Sequence, residues 1–166
     1  ENGLPVIRLE VHLLWLYAPK RLRAAVDQRF CVKGPKKWEG HMYLTDTRSW
    51  YYLHNSQAIE WEALATAKTI NAKAAIEATS WGLGQVLGVH WAELGFASPE
   101  AFEAMQHSEE GQLDTLCRFL LASPRALMAA QDLDWDTFTR IYNGPGKVDE
   151  YSPRLAAAYA RAKAGS

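Results

Sequence analysis

The chain has 166 residues, of which 48% are apolar and 22% charged. That is enough for one domain with an ordinary core, and it excludes disorder as the main state. Eighteen basic residues against nineteen acidic ones leave a net charge of −1, so no summed field argues for nucleic acid or an anionic membrane as partner. Seven Trp and seven Tyr are a heavy aromatic load for this length. The chain opens at Glu1 without an initiator Met, as expected of a chain that has lost a leader or is a piece of a longer one. The early apolar run Leu13 to Ala18 is far too short to span a bilayer. Cys31 and Cys117 read as two buried free thiols ahead of one disulfide, a choice that spacing alone does not decide.

In chain order, Ile7, Leu9 and Val11 alternate with Arg8, Glu10 and His12, the period of a half-buried strand. Leu13 to Tyr17 then starts a buried helix that Pro19 ends. Residues 32–56 are loop-like or β-like, with His41–Leu44 and Trp50–Leu53 flanking a polar Thr45–Ser49 as a hairpin. From Ser56 to Thr79, Ala, Glu and Lys dominate a helix. A segment from Trp81 to Gly88, punctuated by glycine, breaks it. Ser98-Pro99, Ser123-Pro124 and Ser152-Pro153 each read as an N-cap followed by the helix position where Pro is tolerated. Ser108 and Asp134 are further helix starts. The fold class expected is α+β, mostly α. It forms one domain over 1–166, with a strand and hairpin lobe to residue 56 and a helical lobe after it. Trp15, Trp61 and Trp135 read as core, Trp38 and Trp50 as surface.

Four places could carry chemistry. Glu10 shares a strand face with Arg8 and His12, where burial would help a carboxyl group hold the proton a general acid needs and Arg8 would oppose it. Asp46, at the hairpin tip, is the next carboxylate, although Asp is also an ordinary turn former. In Ser80-Trp81-Gly82-Leu83-Gly84-Gln85 the glycines allow close backbone approach, and an indole beside an amide suits a sugar, which presents apolar faces and hydroxyls. Tyr142-Asn143-Gly144-Pro145 is by itself a helix stop. No Cys-x-x-Cys or His-Glu-x-x-His pattern for a metal is present.

A Ser-aromatic-Gly-x-x-Gln stretch followed about sixty residues later by Tyr-Asn-Gly resembles the lysozyme superfamily. More closely, the chain resembles the N-acetylmuramidase domain of phage endolysins and related bacterial lysins. The resemblance runs through Gly3 to His12, residues 80–88, Glu109 to Leu113, Asp134-Trp135, Tyr142 to Pro145, and Tyr151 with Leu155 and Tyr159. It implies a lysozyme-like fold with a small β lobe. It also implies general acid cleavage of the β-1,4 bond between N-acetylmuramic acid and N-acetylglucosamine, by a monomer with no cofactor, on peptidoglycan glycan strands. Such a protein acts on the bacterial cell wall, whether phage-encoded, secreted or periplasmic. Glu10 would be the acid and Asp46 the group that positions water. His12, Ser80, Trp81, Gln85, Tyr142 and Asn143 would hold the glycan.

The family pattern also places an acid in a Glu-Ser motif ahead of its Gly-x-Pro stretch, and here Gly3-Leu4-Pro5 follows only Glu1-Asn2. Three readings stand: the acid-bearing helix precedes Glu1, Glu10 is the acid, or the domain binds glycan without cleaving it. A lytic transglycosylase acting on the same bond is the further alternative.

Overall fold

The structure is a computed structural model that describes residues 3–165; Glu1, Asn2 and Ser166 lie outside it, and with them the Glu1-Asn2 stretch that mimics a Glu-Ser motif. Contacts divide the chain into two compact units, Glu1–Leu116 and Cys117–Ser166, where the sequence suggested one domain with a lobe boundary at residue 56.

The first unit holds both sheets. Strand β1 (Ile7–Leu9) pairs antiparallel with β5 (Thr79–Trp81), and β5 pairs with β6 (Val86–Leu87). The second sheet is an antiparallel meander of β2 (Phe30–Val32), β3 (His41–Leu44) and β4 (Trp50–Tyr52). Around them run α1 (Val11–Tyr17), α2 (Arg23–Arg29), α3 (Gln57–Glu77) and α4 (Pro99–Met105). Helix α5 (Glu109–Ala122) carries the chain across the unit boundary.

The strand expected over residues 5–12 stops at Leu9. The Glu10 N–H donates to Ala78 O at 2.9 Å, and its carbonyl accepts from Leu13 and Leu14 N–H, both at 2.9 Å. The chain therefore turns from sheet to helix at this residue, and His12 lies in the first turn of α1. Helix α1 buries Val11, Leu14 and Ala18, the i, i+3, i+7 stripe of a helical face. That stripe turns Trp15 outward, correcting its expected core placement: it is 40% exposed, with the Arg23 guanidinium 4.0 Å from its ring centroid. The hairpin of residues 41–53 is as expected, and Trp38 and Trp50 are exposed.

Helix α3 is broken at Asn71, whose backbone leaves the helical region (φ −159°, ψ 106°). Its side-chain Oδ1 accepts from Ala74 N–H at 2.8 Å and recaps the second half. Glu60, in the first turn of α3, is 1% exposed and turns inward to β1.

The second unit consists of the C-terminal part of α5 with α6 (Pro124–Gln131), α7 (Trp135–Tyr142) and α8 (Val148–Ala164). Ser98, Ser108 and Asp134 cap their helices through the side chain, accepting from Ala101, Gly111 and Thr137 N–H at 3.1, 3.0 and 3.1 Å. Ser123 precedes α6 without a side-chain cap bond. Ser152-Pro153 starts no helix: Pro153 lies within α8, and Ser152 Oγ donates instead to Asp136 of α7. Cys31 and Cys117 are free thiols. Among the described residues, no helix is long and apolar enough to cross a membrane.

Candidate active site

Glu10 is the hinge between β1 and α1, and its carboxylate does not cap the helix it begins. It turns instead into a polar group assembled from distant parts of the first unit. Oε1 accepts from Arg8 Nε at 2.7 Å. Oε2 is buried and has no hydrogen-bond partner, lying 3.4 Å from His41 Nδ1 and 3.7 Å from His12 Nδ1. His12 Nδ1 and His41 Nε2 are 3.2 Å apart.

Behind this group a line of polar side chains runs into the core. His41 Nδ1 faces His54 Nε2 at 3.0 Å, and His54 Nδ1 faces Glu60 Oε1 at 2.7 Å. Glu60 Oε2 accepts from Leu9 N–H at 2.9 Å. The buried carboxylate thus ties together β1, immediately before Glu10, and the histidines beside Glu10. Burial holds both His12 and His41 below the ordinary imidazole value, so both are neutral at neutral pH.

The cross-strand register places Ser80 opposite Arg8, on the same face of the sheet. Ser80 is half-buried, whereas its neighbours Thr79 and Trp81 point into the core. Trp81 is 1% exposed; its indole N–H donates to Ile76 O at 3.1 Å, and Trp61 and Phe102 pack edge-on against it. It offers no ring face at the surface and supports the strand from beneath.

Gln85 has a positive φ of 48° and spends its amide N–H on Val6 O at 3.2 Å and Gly82 O at 2.9 Å. It fastens the β5–β6 turn to the chain entering β1. Gln112 braces that turn from the other side, accepting from Leu83 N–H at 2.9 Å. A Cβ on Gly82, where φ is +66°, would come within 2.7 Å of the Gln112 side chain. The Gly82, Gln85 and Gln112 positions are therefore one structural device.

Asp46 is not brought to Glu10. It lies in the turn beyond the end of β3 opposite His41, whose strand alone spans about 10 Å at ~3.3 Å per residue. Its carboxylate is 87% exposed and paired with Arg29 at 2.7 Å, the arrangement of a turn residue rather than of a partner to Glu10.

In the second unit, Tyr142 closes α7. Its ring stacks on Phe138 with centroids 5.3 Å apart and meets Phe119 edge-on at 5.4 Å. Burial pushes its phenol up to about 12. Asn143 is the C-cap, its N–H donating to Thr139 O at 2.8 Å, and Gly144 follows with φ +89°.

The family model for N-acetylmuramidase matches residues 1–163. The chain belongs to the N-acetylmuramidase family. A structural comparison finds it similar to the crystal structure of Burkholderia AP3 phage endolysin, with a TM-score of 0.74 and 31% sequence identity over 96% of this chain. The match covers 57% of the endolysin chain, so this chain spans a little over half the length of that protein. No curated protein sequence matches it. The lysozyme-like α+β architecture expected from the sequence is that of this N-acetylmuramidase domain.

Sequence reasoning reached Arg8, Glu10, His12 and Ser80, which the N-acetylmuramidase fold brings to one place. It missed His41, His54 and Glu60. Those three lie 31 to 50 residues after Glu10, and only the return of β3 and the start of α3 against β1 makes them neighbours. The one visible signal was a Glu in an otherwise regular helix start, where its inward orientation cannot be told from an exposed one.

Proposed function

We propose that the chain cleaves the β-1,4 bond between N-acetylmuramic acid and N-acetylglucosamine in bacterial peptidoglycan, as a monomer, with Glu10 as the proton donor. The observation that carries this reading is the family model over nearly the whole chain, taken with the position of Glu10 among Arg8, His12 and Ser80.

The chemistry is a general acid step. The Glu10 carboxyl gives its proton to the leaving glycosidic oxygen as positive charge develops on the sugar. The carboxylate left behind is already paired with the half-exposed Arg8 at 2.7 Å, so the charge created by proton release is stabilised as it forms. Neutral His12 and His41 add no competing cation. Ser80, opposite Arg8, supplies a hydroxyl to the glycan. Gln85 and Trp81 act by holding the turn and strand that present Ser80.

A second reading is favoured by the location of Asp46. A hydrolase of this kind positions water with a second group, and Asp46 stands at the far end of β3. A site that works with a single carboxylate suits a lytic transglycosylase, in which the sugar's own hydroxyl closes the ring. Digestion of purified sacculi followed by mass spectrometry of the released muropeptides tests both readings. Reducing ends mark hydrolysis, and anhydro ends, lighter by one water, mark transglycosylation. Sacculi that bind the chain and release nothing would refute cleavage in either form.

A further inference from the structure

We propose that Glu10, His12 and His41 form a binding site for a divalent transition-metal ion of the zinc type. One ring nitrogen of each histidine and one Glu10 oxygen all lie within 4.8 Å of one another. In a tetrahedral zinc site, with bonds of about 2.0–2.2 Å, neighbouring ligand atoms sit about 3.3–3.5 Å apart. Two edges of such a triangle already have nearly that length: His12 Nδ1 to His41 Nε2 at 3.2 Å, and His12 Nδ1 to Glu10 Oε2 at 3.7 Å. Two imidazoles and a carboxylate are a donor set that selects zinc and its neighbours over magnesium or calcium.

Two features of the cluster suit a cation. Glu10 Oε2 is buried and aimed into the cluster with no hydrogen-bond donor, an arrangement that costs free energy unless something positive meets it. The His41–His54–Glu60 line supplies the second. With a metal on His41 Nε2, His41 Nδ1–H donates to His54 Nε2, and His54 Nδ1–H donates to the Glu60 carboxylate. Each ring nitrogen of His41 and His54 then has one role.

His41 Nε2 also lies 2.9 Å from Lys37 O and 3.2 Å from His12 Nδ1. The line from His41 through His54 ends on the Glu60 carboxylate. Histidine ligands are commonly oriented by such a carboxylate partner. The Lys37 carbonyl is a further oxygen donor at the same corner, and Arg8 remains on the opposite oxygen of Glu10.

Metal binding does not depend on the role given to Glu10 above. Its consequence does: an ion on Oε2 and a proton on the Glu10 carboxyl exclude each other, so zinc would inhibit cleavage. The test is calorimetric titration of the metal-free chain with zinc chloride, and with cobalt chloride followed by visible absorption. One ion per chain is expected, with the intensified cobalt absorption of a four-coordinate site. Binding should disappear in His12→Ala and Glu10→Gln at concentrations that saturate the wild type. It should weaken about 10-fold or more in His54→Ala, where the orienting partner is lost.

His12 and His54 are partly exposed, so these variants keep the test alive if a change at the fully buried His41 prevents folding. His90→Ala removes the separate His90–Glu93 pair and should leave binding unchanged. Binding that is absent in the wild type, that survives His12→Ala or Glu10→Gln, or that is lost in His90→Ala would overturn the proposal. Absence of metal binding in the wild type leaves the cleavage reading standing, whereas a fully active Glu10→Gln refutes the catalytic role of Glu10 and leaves the metal proposal standing.

Discussion

Replacing Glu60 by Ala probes the connection that builds the site. Glu60 is 1% exposed and makes two hydrogen bonds, to Leu9 N–H at 2.9 Å and to His54 Nδ1 at 2.7 Å. The substitution strands a buried backbone N–H at the end of β1 and an imidazole N–H beside it, and it leaves a void at the base of α3. Hydrogen bonds to a charged group are worth about 1.5–3 kcal/mol each, and removing one partner of a buried pair costs about 3–5 kcal/mol. The expected loss is therefore about 3–5 kcal/mol, a large share of the ~5–15 kcal/mol total of a typical domain. It corresponds to a fall in Tm of roughly 10 °C.

Urea unfolding followed by tryptophan fluorescence reads the difference. Glu60→Gln keeps an acceptor for Leu9 N–H and should lose less than half as much. A Glu60→Ala loss below about 1 kcal/mol would refute the claim that this carboxylate anchors β1.

Three further outcomes follow from local geometry. A Cβ at Gly88 would lie 2.0 Å from the Ile76 carbonyl oxygen, so Gly88→Ala should destabilise by more than about 2 kcal/mol in the same urea assay. Ser98→Ala removes the side-chain acceptor of Ala101 N–H and should cost about 1 kcal/mol, with no change in muropeptide release. The Asp134 carboxyl is held below its usual value by its side-chain and then its backbone hydrogen bond with Thr137. A group more acidic folded than unfolded contributes stability that is present above the unfolded value and lost as pH falls through the folded one. Asp134→Asn, which still caps α7, should flatten the fall in stability below about pH 4 that the wild type shows.

Much of the fold was legible because it rests on local signals. The hairpin of β3 and β4 shows as two aromatic runs around a polar turn, and the starts at Ser98, Ser108 and Asp134 carry their own capping chemistry. Ser152-Pro153 misled because the dipeptide is a start signal only when nothing else claims the serine. Here Asp136 does, and the first turn of α8 has already formed ahead of Pro153. The β1–α1 hinge was misread because Val11 continues the alternation while also beginning a helical stripe with Leu14 and Ala18.

The site was half legible. Arg8, Glu10 and His12 are neighbours in sequence, and Ser80 sits in a motif. The His41–His54–Glu60 line has no spacing a reader could recognise, since it exists only through the packing of a hairpin and a helix on one strand. Asp46 was attractive as a carboxylate in a turn, and a turn residue is what its exposure and its ion pair with Arg29 make it.

The central claim is that Glu10 delivers the proton that breaks the glycan. The measurement that meets it most directly is the initial rate of soluble muropeptide release from purified sacculi, compared between wild type and Glu10→Gln at equal folded concentration. Removing a general acid costs at least ~100-fold, so the account predicts a rate reduced by that factor or more with binding to sacculi retained. A Glu10→Gln chain that releases muropeptides at the wild-type rate would contradict it.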